Sequence, residues 1–193
     1  MTNIEVIKKQ LNIINQSIQN AEITNNEGEV IDIESGINQS LDIINNVQKN
    51  KNQIFFIGNG GSAGISSHLA IDYLKNGGVN SRALNDSSSL TCLANDFGYE
   101  FVFSKQIDYY ANEDDLVIAI SSSGESKNIL NGIDSASKKN CSIITLSGFK
   151  KDNSLRSKGM INFYINHHDY GVVEVAHLTL LHLILDIKMG LVK

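Results

Sequence analysis

Three groups of side chains in this 193-residue chain have the types and spacing to do chemistry. His68 and Asp72 stand four apart in a segment that reads as helix, so they share a face and can reach one metal ion. Near the C-terminus, Glu174, His177 and His182 interrupt an otherwise apolar helical run from Val172 to Leu183. Eight residues carry a helix about 80° past two full turns, so Glu174 and His182 can converge from successive turns. Two histidines and two carboxylates make a nitrogen–oxygen donor set that zinc or another divalent ion accepts. A lone histidine on an apolar helix is more often a satisfied core residue; His177 is read that way and His182 as a ligand. The third group is Ser121-Ser122-Ser123-Gly124-Glu125-Ser126. One serine explains a helix cap, but a hydroxyl-lined cradle for a phosphate ester explains all four.

Particular elements must hold these groups. The serines follow a buried strand, Leu116 to Ile120, and precede a helix opening near Lys127. A matching unit lies upstream, where Ile54-Phe55-Phe56-Ile57 runs into Gly58-Asn59-Gly60-Gly61-Ser62 and a second helix. Strand, glycine turn, helix start is how α/β proteins build a pocket at the carboxyl ends of a parallel sheet. The glycines admit close backbone approach, and free N–H groups at the helix start suit an anion. No Lys-Ser or Lys-Thr follows the turn, which rules out an ordinary P-loop. No acidic residue ends a neighbouring strand, which weakens a dinucleotide reading. A small phosphorylated metabolite fits better.

Strands are expected at 53–57, 81–84, 115–120, 141–146 and 160–165, with helices at about 62–75, 87–95, 99–110, 126–139 and 170–189. That alternation predicts a parallel sheet covered on both faces. Asn85-Asp86 can cap the helix after the second strand. Ahead of the sheet, Ile4, Ile7, Leu11, Ile14 and Ile18 recur at helical spacing, and Asn25-Asn26-Glu27-Gly28-Glu29 breaks the pattern. A second helix at about 34–49 turns Ile37, Leu41, Ile44 and Val47 inward. The narrow first stripe favours an oligomer.

The length suits one domain. A net charge of −5 argues against nucleic-acid binding through phosphate neutralisation. Cys92 and Cys141 follow no metal spacing and are read as buried thiols in a reducing cytoplasm. No signal peptide is apparent, and no apolar stretch is read as long enough to span a membrane. The chain contains no proline, so no cis-proline shapes the site.

Gly58-Asn59-Gly60-Gly61-Ser62, His68, Asn95-Asp96-Phe97-Gly98, the Ser121–Ser126 segment and His182 together resemble a sugar isomerase (SIS) domain. Within it, the chain is similar to phosphoheptose isomerases, which interconvert sedoheptulose 7-phosphate and D-glycero-D-manno-heptose 7-phosphate in heptose biosynthesis for lipopolysaccharide or capsule. The resemblance spans nearly the whole chain. The serine loop is shared by all SIS domains, whereas Gly-Asn-Gly-Gly-Ser with Asn-Asp-Phe-Gly is narrower. It implies a flavodoxin-like sheet (residues 51–193), a helical extension for oligomerisation (1–50), a homotetramer, and active sites assembled between subunits. It also implies one zinc ion per subunit on His68, Asp72, Glu174 and His182, with Asp72 and His182 as the catalytic pair. Asn59, Gly60, Gly61, Ser62, Asn95, Asp96, Ser121, Ser122, Ser123, Ser126 and Glu174 would bind substrate. The chain departs from the family twice, with Asp72 in place of Glu and Glu174 in place of Gln. Two other readings remain: a non-catalytic SIS protein of the kind that binds a replication initiator, and an isomerase of another sugar phosphate. A sugar-phosphate sensor is disfavoured, since nothing reads as a DNA-binding helix-turn-helix.

Overall fold

The computed structural model describes residues 2–191. Five parallel strands form its centre: β3 (Ile54–Gly58), β4 (Ser81–Ala83), β5 (Leu116–Ser121), β6 (Ser142–Gly148) and β7 (Ile161–Ile165). Their order is β4-β3-β5-β6-β7. This is the flavodoxin-like order, in which the chain reverses direction across the sheet between β3 and β5. Sequence analysis expected these five strands; it did not expect a hairpin, β1 (Glu22–Asn25) and β2 (Val30–Ile31), on the far edge. β1 runs antiparallel to β7, pairing Ile23 with Phe163. The polar stretch read as a break is the hairpin's turn, where the Asn25 side chain accepts from the N–H groups of Glu27 and Glu29.

The strands are apolar on both faces because helices cover both. On one face Ile54, Phe56, Ile118, Ile120 and Leu146 pack against α2 (Ile33–Lys49), α3 (Gly61–Lys75) and α7 (Tyr170–Lys188). Ile37, Ile44 and Val47 of α2 are buried there, as their spacing predicts. On the other face Phe55, Ile57, Val117 and Ala119 meet α5 (Val102–Tyr110) and α6 (Lys127–Lys138). The period-two split of each strand between two clusters explains why all five residues of β3 are buried. Asp86 caps α4 (Ser87–Phe97), accepting from Ser89 N at 3.0 Å. The expected helix at 99–110 opens as a 3-10 turn over Tyr99–Phe101 before α5 begins.

Three expectations need correction or comment. Cys92 is exposed on α4 and Cys141 only half-buried, so the thiols are not core residues, although burial pushes the Cys141 thiol up to about 11. α7 does reach the length and apolarity of a membrane span. Its buried residues, among them Val173, Ala176, Leu180 and Ile184, sit in the core beneath the sheet. The apolarity of α7 therefore serves that packing. Finally α1 (Asn3–Gln19) lies along α7 but buries no residue fully, leaving Ile4, Ile7 and Leu11 exposed.

Candidate active site

A cleft of about 280 Å³ opens where the chain reverses across the sheet, outside the carboxyl ends of β3 and β5. Asn59, Gly60, Gly61 and Ser62 form one wall, and Ser121, Ser122, Ser123 and Ser126 the other, with Tyr170 and Glu174 at the side. Eight of the substrate-binding residues expected from sequence are thus brought to one place, together with Glu174. Backbone shape accounts for the first wall. Gly60 adopts φ +54°, a conformation that favours glycine, and lets the chain turn from β3 straight into α3. No side chain caps α3, so the N–H groups of its first turn remain available to an anion. A Cβ on Gly61 would run into the Glu174 carboxylate, so glycine lets that carboxylate lie against the turn.

The serine wall is held from behind. Gly124, at φ +65°, donates its N–H to Ser121 and accepts from Leu155 N at 3.0 Å. The Glu125 carboxylate accepts from the N–H and hydroxyl of Ser154, at 2.7 and 2.9 Å. Two hydroxyls in this wall have no structural duty. Ser126 stands at the N-cap of α6 without using its side chain as a cap, and the Ser122 hydroxyl is buried with no hydrogen-bond partner. Buried polar groups in proteins are nearly always paired, so this hydroxyl beside the cleft has bonding capacity left for a ligand.

The second cluster lies further along α3 and α7. His68 Nε2 and His182 Nε2 are 3.1 Å apart, and Asp72 Oδ2 is 3.4 Å from His68 Nε2. All three donor atoms fall within 4.8 Å of one another. Tetrahedral zinc with bonds of 2.0–2.1 Å separates its ligands by about 3.3 Å, so this donor set fits a divalent ion. Glu174 is not part of this group. Eight residues of helix separate it from His182, a rise of about 12 Å, and its carboxylate lies against Gly61 in the cleft instead. The angular argument from sequence left out that rise.

Asn95 and Asp96 do not line the cleft; they are exposed on α4 and bond to each other at 2.9 Å. His177 is fully buried, its Nε2 bonded to the Ser147 carbonyl at 3.0 Å. Burial pulls its imidazole down to about 4, with the Ser147 bond opposing. It is the core histidine that its apolar surroundings predict. Sequence reasoning missed Asn128 and Tyr99, which grip Asn59, and Tyr170 at the cleft mouth. They open α6, the 3-10 turn and α7, helix starts that only the tertiary fold brings together. The one local signal was a polar Asn128 on the inward face of α6.

Comparison with known proteins places this architecture. Residues 20–148 match the SIS domain family model. The chain is 34% identical over 142 residues to a phosphoheptose isomerase of Campylobacter concisus, covering 70% of this chain and 75% of that one. It is 30% identical to one from Sodalis glossinidius over 187 residues, covering 94% and 93% respectively. The fold superposes on a phosphoheptose isomerase structure from Francisella tularensis with TM-score 0.81 at 22% identity, across 98% of this chain and 100% of that one. The chain belongs to the SIS-domain family and, within it, to the phosphoheptose isomerases.

Proposed function

We propose that this protein interconverts sedoheptulose 7-phosphate and D-glycero-D-manno-heptose 7-phosphate in heptose biosynthesis for lipopolysaccharide or capsule, a reading supported by relatives named phosphoheptose isomerases. The observation that carries this reading is the convergence of His68, Asp72 and His182 in a protein that also holds a hydroxyl cradle at the sheet's switch point. Ser62, Ser121, Ser123 and Ser126 bind the phosphate, Ser122 supports them, and Asn59 reaches the sugar. From Ser62 to His68 helix α3 rises about 9 Å. The eight bonds from phosphorus to C1 of an open-chain heptose 7-phosphate span about 10 Å when extended. A seven-carbon chain anchored in the cradle therefore has the length to reach the level of the triad.

In the ketose-to-aldose direction, the Asp72 carboxylate takes a proton from C1 while His182 delivers one to O2, giving the 1,2-enediol. His182 then removes the proton from O1 as Asp72 returns its proton to C2. Positioned acids and bases of this kind contribute about 10²–10⁴-fold each. His68, Asp72 and His182 would hold a zinc ion, which would polarise the carbonyl when bound. Residues 51–193 form the sugar-phosphate unit. Residues 1–50 serve oligomerisation, and a homotetramer buries the α1 stripe, whose Ile4, Ile7 and Leu11 are 55%, 53% and 62% exposed. Free thiols at Cys92 and Cys141 suit a cytoplasmic setting.

The test is conversion of sedoheptulose 7-phosphate followed by NMR, with and without added zinc, for the wild type and His182→Ala. Metal-enhanced turnover, abolished in the variant, is expected. Saturable binding with no turnover would sink the isomerase reading and return the protein to the class of non-catalytic SIS binders.

A further inference from the structure

Asn59 sits between the two walls of the cleft, and its amide is almost fully spent on the protein. Its Oδ1 accepts from Asn128 Nδ2 at 2.8 Å and from the Tyr99 hydroxyl at 3.2 Å. Its Nδ2 donates to Asn128 Oδ1 at 2.9 Å. The two amides therefore form a closed, two-bond pair across the cleft's base, joining the glycine turn after β3 to the first turn of α6. The pair has only one orientation. Asn128 is 3% exposed, and its Oδ1 also accepts the Ile129 backbone N–H at 3.0 Å. Turning the Asn128 amide over would set an NH₂ group against that N–H. Turning Asn59 alone would set donor against donor and acceptor against acceptor. Tyr99, from the 3-10 turn beyond α4, occupies the second lone pair of Asn59 Oδ1.

An amide has two N–H donors and two acceptor sites. Three of the four at Asn59 are occupied, leaving one N–H. From this we infer that Asn128 and Tyr99 are positioning residues that make Asn59 a single, fixed N–H donor to the substrate. The partner it selects is a sugar oxygen with a free lone pair, a carbonyl or a hydroxyl that donates its proton elsewhere. Asn59 cannot accept from a hydroxyl. This inference rests on the sugar-phosphate reading above and adds what the cleft demands beyond the phosphate. It also separates the work of the two walls: serine hydroxyls and helix N–H groups read the phosphate, while the asparagine pair reads the sugar.

The experiment compares dissociation constants for sedoheptulose 7-phosphate and for inorganic phosphate, measured calorimetrically on the full chain. Asn128→Leu keeps the bulk and removes both amide bonds. It is expected to weaken the sugar phosphate about tenfold, the effect of one misplaced hydrogen bond, and to leave inorganic phosphate within twofold. Asn59→Ala is expected to lose as much, and the double variant no more than Asn59→Ala alone, because Asn128 acts only through Asn59. Tyr99→Phe, at a residue 54% exposed and thus safe for folding, should lose two- to threefold for the sugar phosphate only.

Equal losses for both ligands would mean that Asn128 merely supports the cleft, and would overturn the inference. Additive losses in the double variant, or no change in either single one, would do the same. A wild-type protein that binds sedoheptulose 7-phosphate without converting it would refute the isomerase reading, while these affinities would still decide the asparagine pair. Failure to bind either ligand would refute the pair's role as well.

Discussion

The serine cradle and the His68–Asp72–His182 triad are built on opposite plans. The cradle is made largely of backbone and short hydroxyl side chains at strand ends, with Ser62, Ser121 and Ser122 buried. It is braced from outside by Glu125, Ser154 and Leu155. The triad is made of longer side chains on helix faces, and His68 is 52% exposed at its side chain. Its members contact chiefly one another. A cradle of this kind is preorganised by the fold, whereas a triad of this kind lacks such bracing until an ion or substrate holds it. Phosphate affinity and turnover should therefore respond to different substitutions.

The largest effect should come from breaking that separation at Asp72. Asp72→Asn keeps the size and removes the basic oxygen, and turnover should fall by about 10²–10⁴-fold. Inhibition by inorganic phosphate, which reports on the cradle alone, should not move. A parallel loss of phosphate affinity would show that cradle and triad form one coupled unit. The shorter Asp72 also predicts that Asp72→Glu is tolerated and changes kcat more than KM, since small displacements of a reacting group act on the chemical step.

Next in size is an effect on stability rather than turnover, from the two histidines of α7. His182 faces the triad, while His177, five residues earlier, is buried and held near 4. Its folded pKa lies below the unfolded value of about 6.5. The unfolded chain therefore takes up the proton first as pH falls. The stability from neutral His177 is complete above about pH 6.5 and is lost as pH drops toward 4, on the order of 3 kcal/mol in total. Thermal unfolding measured across that window should show a falling Tm. His177→Leu should flatten the slope while lowering Tm at neutral pH, because the Ser147 carbonyl loses its donor. An unchanged slope would mean that other groups set the acid limit.

Much of this was legible beforehand, for identifiable reasons. Runs such as Ile54–Ile57 and Leu116–Ile120 could only be buried strands, and the glycine and serine turns following them fixed the cleft. The His68–Asp72 spacing survived because both lie on one helix, where spacing becomes geometry. The β1–β2 hairpin was missed because β2 has two residues, too few to show alternation. Glu174 was grouped with the triad on helical angle and family likeness, and the helical rise carried it to the cradle. Asn95 and Asp96 followed from family likeness alone, and within one chain they stay outside the cleft. Asn128 and Tyr99 left no periodic signal, since what they do depends on the first turn of α6 and a 3-10 turn meeting the loop after β3.

The smallest effect is the sharpest test of how the cradle is built. A serine at a helix N-cap usually contributes about 1 kcal/mol through its side chain. Ser126 makes no such bond; its hydroxyl lies 3.5 Å from that of Ser121 and points into the cleft's serine wall. Ser126→Ala should therefore leave the unfolding free energy within about 0.5 kcal/mol of wild type, the range of an unremarkable surface change. Affinity for the sugar phosphate and for inorganic phosphate should both fall by roughly tenfold, the low end for one hydrogen bond to a charged group. A stability loss with unchanged affinity would make Ser126 an ordinary cap, and the phosphate contacts would reduce to Ser62, Ser121, Ser122, Ser123 and the α3 N-terminus. Affinity loss without stability loss would instead show a helix that forgoes its cap so that the hydroxyl can meet the ligand.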